Sequence, residues 1–248
     1  MDTTNNKNEW FKTWFDSPYY SILYKNRSDE EAALFLDNLT TKLDLPDRSR
    51  VLDLACGKGR HSIYLNKKHF RVVGIDLSNN SIAHAKKYET ETLHFETGDM
   101  RYFNLSLKFD AIFNLFTSFG YFESLEDNIK VLSNIKGHLL KEGFFVMDYF
   151  NAYKVEEALI PNEVKELDGY KFEISKEISN GQIIKTIAFD VEGQAFSFQE
   201  KVQLLYDEAI NEMLASSGFE ILHTFGNYQL DSFNTKSSDR YIVIAKLK

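Results

Sequence analysis

Seven short apolar runs, most of them rich in β-branched or aromatic residues, recur along this chain, and helical stretches separate the first five. Nearly continuous apolar runs indicate strands buried on both faces, and their alternation with helices is typical of a parallel sheet. The pattern predicts an α/β fold with a doubly wound, seven-stranded, mostly parallel sheet, its last strand antiparallel and helices on both faces. The predicted strands are 50–55, 71–76, 93–97, 109–115, 144–148, 219–225 and 240–246.

Serine residues mark the predicted starts of three helices. Ser28 stands three residues before Glu31 in a capping box, and Ser78 precedes a helix expected over 79–88. Ser124 opens a helix expected to run to residue 140. A further helix over 207–215 should stop before Gly218, because glycine readily ends a helix.

Residues 151–206 exceed what a connection between two strands of such a sheet needs. They contain the turn signals Asn180-Gly181 and Glu192-Gly193, with alternating segments at 170–174, 183–189 and 195–202. We therefore predict a small antiparallel β insertion, which would serve as a substrate flap. The predicted core is then 46–150 and 207–248.

Residues 1–45 precede the first predicted strand and are expected to form an N-terminal helical lid or cap. Aromatic residues at positions 10, 11, 14 and 15 form one stripe of a short helix. Two interpretations stay open: a helix attached to the core through its aromatic side chains, or a lid over a ligand.

Charge and cysteine content limit the classes of partner. The formal net charge is −8 and no dense Lys/Arg run is present, which argues against a nucleic-acid partner. Cys56 is the single cysteine, and no His/Asp/Glu set has ligand spacing, so no metal site is expected. The first residues form no apolar signal segment and no run is long enough to span a membrane, which predicts a cytoplasmic protein.

The segment 51–61 predicts a strand, a glycine-rich turn and the start of a helix. A dinucleotide site would require a third glycine where Ser62 stands, and a phosphate-binding P-loop would require Gly-Lys-Ser/Thr where Gly57-Lys58-Gly59 stands. Asp53 would repel a pyrophosphate but could hold an ammonium group, such as that of S-adenosylmethionine.

The motif Asp53-Leu-Ala-Cys-Gly-Lys-Gly-Arg60 resembles the first motif of class I S-adenosylmethionine-dependent methyltransferases, in the form with Cys-Gly-x-Gly-Arg-His found among small-molecule enzymes. Asp76 after the second strand and Gly98-Asp99-Met100 after the third strand stand where that family has its further motifs. The resemblance runs from about Val51 to Asp148 and implies S-adenosylmethionine as the cofactor.

Asp76, at the end of a strand, could accept hydrogen bonds from both ribose hydroxyls, and Leu77 would cover one adenine face. The resemblance implies that Asp99 accepts the adenine amine, that the Met100 N–H reaches a ring nitrogen, and that Tyr19 or Tyr24 closes over the cofactor. The full expected cofactor-binding set is Tyr19, Tyr24, Asp53, Ala55, Gly57, Gly59, Arg60, His61, Asp76, Leu77, Asp99, Met100, Asn114 and Phe116.

The loop 114–122 after the fourth strand should border the methyl group, since ligands collect at the carboxyl ends of such strands. It lacks the Asn/Asp-Pro-Pro-Tyr box of enzymes that methylate amino groups of nucleic acids and proteins. Methyl transfer from a sulfonium needs orientation above all, so no fixed catalytic residue is assigned. The candidates for the acceptor pocket are Tyr121, Tyr149, Tyr228 and Arg240.

We therefore predict an enzyme that moves a methyl group onto N or O of a small molecule, with N favoured because tyrosines can hold a cation. A non-catalytic S-adenosylmethionine-binding module stays open as an alternative. A nicotinamide-dependent dehydrogenase is disfavoured by Asp53 and Ser62. The sequence specifies neither the acceptor nor the oligomeric state.

Overall fold

The computed structural model describes residues 10–25 and 28–248. A seven-stranded sheet has the order β10-β11-β5-β4-β1-β2-β3, and β11 runs antiparallel to both of its neighbours while the other pairs are parallel. A separate four-stranded antiparallel sheet has the order β6-β7-β8-β9. The predicted fold class is confirmed. The strands are β1 Arg50–Leu54, β2 Arg71–Asp76, β3 Leu93–Thr97, β4 Phe109–Asn114, β5 Leu139–Phe150, β6 Asn162–Leu167, β7 Tyr170–Ser179, β8 Gln182–Val191, β9 Gln194–Gln203, β10 Phe219–Phe225 and β11 Arg240–Leu247.

The helix starts predicted at serine residues are confirmed. The side chains of Ser28, Ser78 and Ser124 each accept a hydrogen bond from the backbone N–H three residues on. The helices are α1 Trp10–Trp14, α2 Pro18–Leu23, α3 Asp29–Leu43, α4 Arg60–Lys67, α5 Asn79–Ala85, α6 Leu125–His138, α7 Ala152–Glu157 and α8 Asp207–Ser216, and a 3₁₀ turn, Lys86–Tyr88, follows α5. None of the helices in the described ranges is long and apolar enough to cross a membrane.

Several predicted elements differ from the structure. Strand β5 spans Leu139–Phe150 rather than 144–148, and α5 ends at Ala85 rather than at residue 88. Helix α6 stops at His138 rather than at residue 140, because Leu139 already pairs with Phe109 of β4. The antiparallel sheet has four strands rather than three. Its extra strand, β6, is joined to β7 by the turn Asp168-Gly169, in which both residues have positive φ.

The chain divides into two compact units. The smaller unit combines the described part of Met1–Arg27 with Leu159–Gln203, and the larger combines Ser28–Ala158 with Leu204–Lys248. Helices α3 and α7 thus belong to the larger unit, whereas the sequence-based boundaries put them in the N-terminal cap and in the insertion. Each unit has its own apolar core.

The core of the larger unit lies against the seven-stranded sheet and fixes the strands that carry the candidate site. Val51 and Phe113 on neighbouring strands are both fully buried in it, as is Phe35 of α3. Because β1, β2, β3, β4 and β5 are parallel, their carboxyl ends meet at one edge of the sheet. The polar residues predicted to bind the cofactor follow these ends.

Candidate functional site

The glycine-rich turn between β1 and α4 has a backbone conformation that residues with a side chain rarely adopt. Gly57 and Gly59 have φ of 56° and 83°, in the left-handed region, and Ala55 shares it with φ of 67°. The N–H of Ala55 donates to the carbonyl of Ile75 at 2.8 Å. The end of β2 therefore holds this turn in a fixed shape.

Phe95 of β3 packs directly behind the turn. A Cβ atom added to Gly59 would lie 2.7 Å from the Phe95 ring, and one added to Gly74 would lie 2.6 Å from it. Gly74 would also bring its Cβ within 2.9 Å of the sulfur of Cys56. Glycine at these two positions thus lets the turn, β2 and β3 approach closely.

Asp53, the penultimate residue of β1, is 2% exposed, and its Oδ2 accepts a hydrogen bond from the Ser62 hydroxyl at 2.6 Å. Burial raises the pKa of Asp53 to about 6, the Ser62 hydroxyl lowers it in part, and the charge of Asp76 raises it further. The site therefore contains a buried carboxylate whose ionised form is costly.

Asp76, the last residue of β2, joins the turn to the next helix. Its Oδ2 accepts from the N–H of Gly57 at 2.8 Å, and its Oδ1 accepts from the N–H of Ser78 at 2.8 Å. Each carboxylate oxygen can accept a further hydrogen bond. Leu77, between these contacts, is half-buried.

Asp99 follows β3, and the N–H of the preceding Gly98 donates to the carbonyl of Asp76 at 2.9 Å. The Arg101 guanidinium donates two hydrogen bonds to the Asp99 carboxylate, from Nε to Oδ1 at 3.0 Å and from Nη2 to Oδ2 at 2.6 Å. Arg101 also reaches Asp127 of α6 at 3.3 Å. The carbonyl of Met100 accepts from Asn134 at 3.2 Å. Asp99 is therefore held rigidly beside Asp76.

Asn114 ends β4 and is fully buried. Its Nδ2 donates to the carbonyl of Leu54 at 3.1 Å, while its Oδ1 has no hydrogen-bond partner among residues 10–25 and 28–248. Buried polar atoms are almost always paired in folded proteins. Oδ1 of Asn114 is thus a buried acceptor that no described residue satisfies.

Phe116 and Thr117, in the loop after β4, have φ of 56° and 60°. Asp148 of β5 fixes this unusual backbone: its Oδ2 accepts from the N–H of Phe116 at 2.8 Å, and its carbonyl accepts from the N–H of Thr117 at 3.0 Å. Two consecutive left-handed residues without glycine store strain, and such strain concentrates at functional sites.

Three of the four candidates for the acceptor pocket bear on this loop. Arg240 donates from Nη2 to the Thr117 hydroxyl at 2.9 Å, and the Tyr121 hydroxyl donates to the Thr117 carbonyl. The Tyr228 hydroxyl lies 3.4 Å from Oδ2 of Asp148, and its ring is 5.2 Å from that of Phe116. The pKa of Tyr228 is raised by burial and by the Asp148 charge.

Tyr149 of β5, the fourth candidate, is fully buried. A Cβ atom added to Gly120 would lie 2.6 Å from its hydroxyl, so Tyr149 packs beneath the end of the same loop. Burial raises the pKa of Tyr149 well above its ordinary value. Tyr149 therefore supports the loop as a core aromatic residue.

Arg60 and His61 begin α4, immediately after the glycine turn. The His61 ring stacks on Phe116 with centroids 4.7 Å apart and an angle of 14° between the planes. The Arg60 guanidinium lies 5.3 Å from the centre of the same ring and donates to the carbonyl of Ser28 at 3.2 Å. These contacts connect the loop after β4 to the turn after β1.

Tyr19 and Tyr24 belong to the smaller unit. The Tyr19 ring lies 4.6 Å from that of Phe189. The Tyr24 hydroxyl donates to Glu200 at 2.7 Å and accepts from Lys185 at 2.6 Å. Their expected contact with the cofactor stays a prediction.

The larger unit thus brings the other expected residues to one edge of the sheet through direct contacts and neighbouring backbone. Three features fit the expected cofactor: a buried anion at Asp53 for an ammonium group, a turn free of side chains at Gly57, and an unpaired acceptor on Asn114. No group of three or more His, Cys, Asp or Glu residues in the described ranges is arranged to hold a metal ion.

Sequence reasoning missed three residues of this edge. Ser62 served only as evidence against a dinucleotide site, and its position three residues after Gly59 is the signal that it faces back toward β1. The sequence does not show that Arg101 pairs with Asp99, because this contact depends on the backbone conformation of the turn that contains both residues. Phe95 was counted only as part of a strand.

Comparison with known proteins gives the family. A family model described as a methyltransferase domain matches residues 45–212. The chain is 33% identical over 131 residues to dTDP-3-amino-3,4,6-trideoxy-alpha-D-glucopyranose N,N-dimethyltransferase of Streptomyces venezuelae, covering 52% of this chain and 54% of that protein. The chain thus spans about half the length of that relative.

Two other similarities cover nearly the whole chain. It is 24% identical over 260 residues to a glycine/sarcosine N-methyltransferase of Aphanothece halophytica, covering 99% of this chain and 92% of that protein. Its fold matches the crystal structure of an S-adenosylmethionine-dependent methyltransferase from Clostridium acetobutylicum with a TM-score of 0.79 at 22% identity, covering 92% and 96% of the two chains. The chain therefore belongs to the methyltransferase-domain family, whose cofactor is S-adenosylmethionine.

Proposed function

We propose that this protein transfers a methyl group from S-adenosylmethionine to an amino nitrogen of a small molecule. The observation that carries the proposal is the contact chain at the carboxyl edge of the sheet. In this chain of contacts the Asp76 carboxylate accepts from the Gly57 N–H. The N–H of Gly98, next to Asp99, donates to the Asp76 carbonyl. A turn, a buried anion and two further carboxylates are the groups that the cofactor requires.

The cofactor half of the site would be divided among the strand ends. Asp53 would face the ammonium group and the N-terminal turn of α4 would face the carboxylate, since a helix N-terminus favours negative charge. Asp76 would accept hydrogen bonds from the ribose hydroxyls, and Asp99 from the adenine amine. Each of these carboxylates is already oriented by protein donors, so little ordering is needed on binding.

The acceptor half would be formed by the loop after β4 and its supports. Bound S-adenosylmethionine would supply an activated methyl group. The acceptor nitrogen would attack the methyl carbon in line, and the carbon–sulfur bond would break to release S-adenosylhomocysteine. Phe116 and Tyr228 offer aromatic faces, and the Asp148–Arg240 pair fixes the backbone that carries Phe116. The main task of these residues is to hold the acceptor nitrogen in a near-attack position.

Nitrogen as the atom that accepts the methyl group is supported by the named activities of the relatives. The Streptomyces protein is an N,N-dimethyltransferase of an amino sugar, and the Aphanothece protein is an N-methyltransferase of glycine and sarcosine. The aromatic faces at the loop agree with an amine, since a neutral amine nitrogen becomes cationic as it takes the methyl group and such rings attract a cation. The net charge of −8 supports a small-molecule acceptor over nucleic acid.

Thermal unfolding with added ligand tests the cofactor. S-adenosylmethionine and S-adenosylhomocysteine should each raise Tm as their concentration exceeds Kd, and NAD should not. A shift with NAD and none with the two sulfur compounds would contradict the proposal and favour a dehydrogenase.

Transfer of labelled methyl tests the reaction. Suitable acceptors are dTDP-3-amino-3,4,6-trideoxy-alpha-D-glucopyranose, glycine and sarcosine. The matched control is the same amino sugar with its nitrogen acetylated, which removes the nucleophilic nitrogen and keeps the hydroxyl groups. Labelling that survives acetylation indicates O-methylation, and cofactor binding without transfer to any amine indicates a non-catalytic binding module.

A further inference from the structure

The Ser62 side chain bonds directly to Asp53. It is fully buried, and its hydroxyl lies 2.6 Å from Oδ2 of Asp53, which is 2% exposed. A hydroxyl that donates to a buried carboxylate forms a short, charge-assisted hydrogen bond. The bond joins the first turn of α4 to the end of β1 across the glycine turn.

The start of α4 lacks a side-chain cap of its own. Gly59 is the N-cap residue of α4 and makes no side-chain capping bond. Asp53 accepts a hydrogen bond from the Ser62 hydroxyl, so it holds the first turn of the helix from a neighbouring strand. In a dinucleotide site a glycine would stand at position 62, and this hydroxyl would be missing.

We propose that Ser62 is a positioning residue for the cofactor, whose hydroxyl orients the Asp53 carboxylate toward the ammonium group of S-adenosylmethionine. The inference rests on the proposed function and adds to it the residue that makes the turn selective for an amino acid tail. The charged or titratable groups near Asp53 are Cys56 in the glycine turn, Asp76 from β2 and Arg60 from α4. The Ser62 hydroxyl donates a hydrogen bond to the carboxylate.

The bond also bears on the charge state of Asp53. Burial raises the pKa of Asp53 to about 6, and the Ser62 hydroxyl holds it below the value that burial alone would give. Removing the hydroxyl should therefore raise this pKa and allow protonation nearer to neutral pH. A neutral Asp53 would attract an ammonium group far less than an ionised one does.

Two ligands that differ in the amino acid tail separate positioning from simple folding support. Binding of S-adenosylhomocysteine and of 5′-deoxy-5′-methylthioadenosine, which lacks the tail, is measured by calorimetry for the wild type and Ser62→Ala. We expect Ser62→Ala to weaken S-adenosylhomocysteine binding by about tenfold or more and to change methylthioadenosine binding by less than about twofold. Ser49→Ala is the matched control, since Ser49 is also buried and donates to a backbone carbonyl elsewhere in the unit.

The pH profile and a double-mutant cycle complete the test. Wild-type affinity for S-adenosylhomocysteine should fall as the pH drops through about 6, and in Ser62→Ala the fall should begin at higher pH. In the Asp53→Asn background, Ser62→Ala should have little further effect on this affinity, because the charge it orients is gone. Ser62→Cys, with a weak donor of similar volume, serves the same comparison if Ser62→Ala does not fold.

Equal weakening of both ligands, or no weakening of either, would overturn the inference and leave Ser62 as a packing residue. A wild-type protein that does not bind S-adenosylhomocysteine would instead contradict the proposed function itself. The two failures are therefore distinct.

Discussion

Arg240 of β11 donates from Nε to Oδ1 of Asp148 on the neighbouring strand β5 at 2.8 Å, and Asp148 is completely buried. Burial lowers the pKa of Arg240, but the charges of Asp148, Tyr228 and Glu31 and the hydrogen bond to Asp148 together outweigh it and raise the pKa. The other oxygen of Asp148 holds the N–H of Phe116. One ion pair thus stabilises both the sheet and the strained loop.

We expect Arg240→Met to destabilise the protein by about 3–5 kcal/mol, because it leaves the Asp148 carboxylate buried without its countercharge. Urea unfolding followed by circular dichroism gives the free energy. The matched control is Lys154→Met, whose pair with Asp239 is exposed and should change the free energy by no more than about 1 kcal/mol. Similar values for the two variants would show that the buried pair does not stabilise the fold.

Gly74→Ala should destabilise the protein by about 1–3 kcal/mol, because the new methyl group would lie 2.6 Å from the Phe95 ring. Gly137→Ala is the matched control with the opposite expected sign. Position 137 is in α6, nothing lies within 4 Å of the added Cβ atom, and alanine favours helix. Urea unfolding of both variants checks the pair, and a stable Gly74→Ala would mean that Phe95 can move away.

Asp53→Asn tests the cost of the buried charge. Because the pKa of Asp53 is raised from 3.8 to about 6, the folded state binds this proton more tightly than the unfolded state. Ionisation therefore opposes folding as the pH rises from about 4 to 6, and the whole cost is present above that range. We expect Asp53→Asn to be more stable than wild type by about 1–3 kcal/mol at pH 7.5 and equal to it below about pH 4.

Urea unfolding at pH 7.5, 5 and 4 measures this difference. Asp239→Asn, which alters an exposed carboxylate, should show no such pH dependence. The same Asp53→Asn variant should bind S-adenosylmethionine more weakly than wild type. A variant that is less stable at every pH would indicate that Asp53 mainly caps α4.

The fold was predictable because its signals are local. Buried strands appear as apolar runs, and helices begin at capping serines such as Ser78. Strand β6 was not predicted, because its six residues are largely exposed and include Glu163, Lys165 and Glu166 rather than an apolar run. The Asp168-Gly169 dipeptide was a hairpin signal that could have revealed it.

The site was predictable only where motif spacing determines contact. Asp53, Gly57 and Asp76 meet because two strands and their turn must lie side by side in a parallel sheet. The support of Phe116 by Asp148 joins positions 32 residues apart, and the pair of Asp148 with Arg240 joins positions 92 apart. Such partners depend on register and on side-chain direction, which no local pattern specifies.

Asp76→Ala should weaken S-adenosylmethionine binding by roughly 1–3 kcal/mol, the cost of leaving buried polar groups without partners. The change removes the acceptor for the Gly57 and Ser78 N–H groups as well as the expected ribose contact. Calorimetric titration measures the affinity. Glu220→Ala, at an exposed position on β10, should leave the affinity unchanged. An unchanged affinity in Asp76→Ala would show that the ribose lies elsewhere.

The smaller unit has its own buried charge cluster, which allows a separate prediction. Glu200 accepts from Nε1 of Trp14 at 2.6 Å and from the Tyr24 hydroxyl at 2.7 Å, and Nζ of Lys185 lies 3.5 Å from it. Burial lowers the pKa of Lys185, and the attraction of Glu200 offsets this only in part. The charged pair is therefore costly to bury, although each member depends on the other.

Lys185→Met should destabilise this unit by about 3–5 kcal/mol, because the Glu200 carboxylate would stay buried without its countercharge. The double variant Lys185→Met, Glu200→Gln should recover most of this loss. Both tryptophans of the chain, Trp10 and Trp14, lie in this unit, so tryptophan fluorescence during urea unfolding reports on it specifically. Lys171→Met, at an exposed position on β7, is the control. If Lys185→Met unfolds at the same urea concentration as that control, the pair of Lys185 with Glu200 does not stabilise the unit.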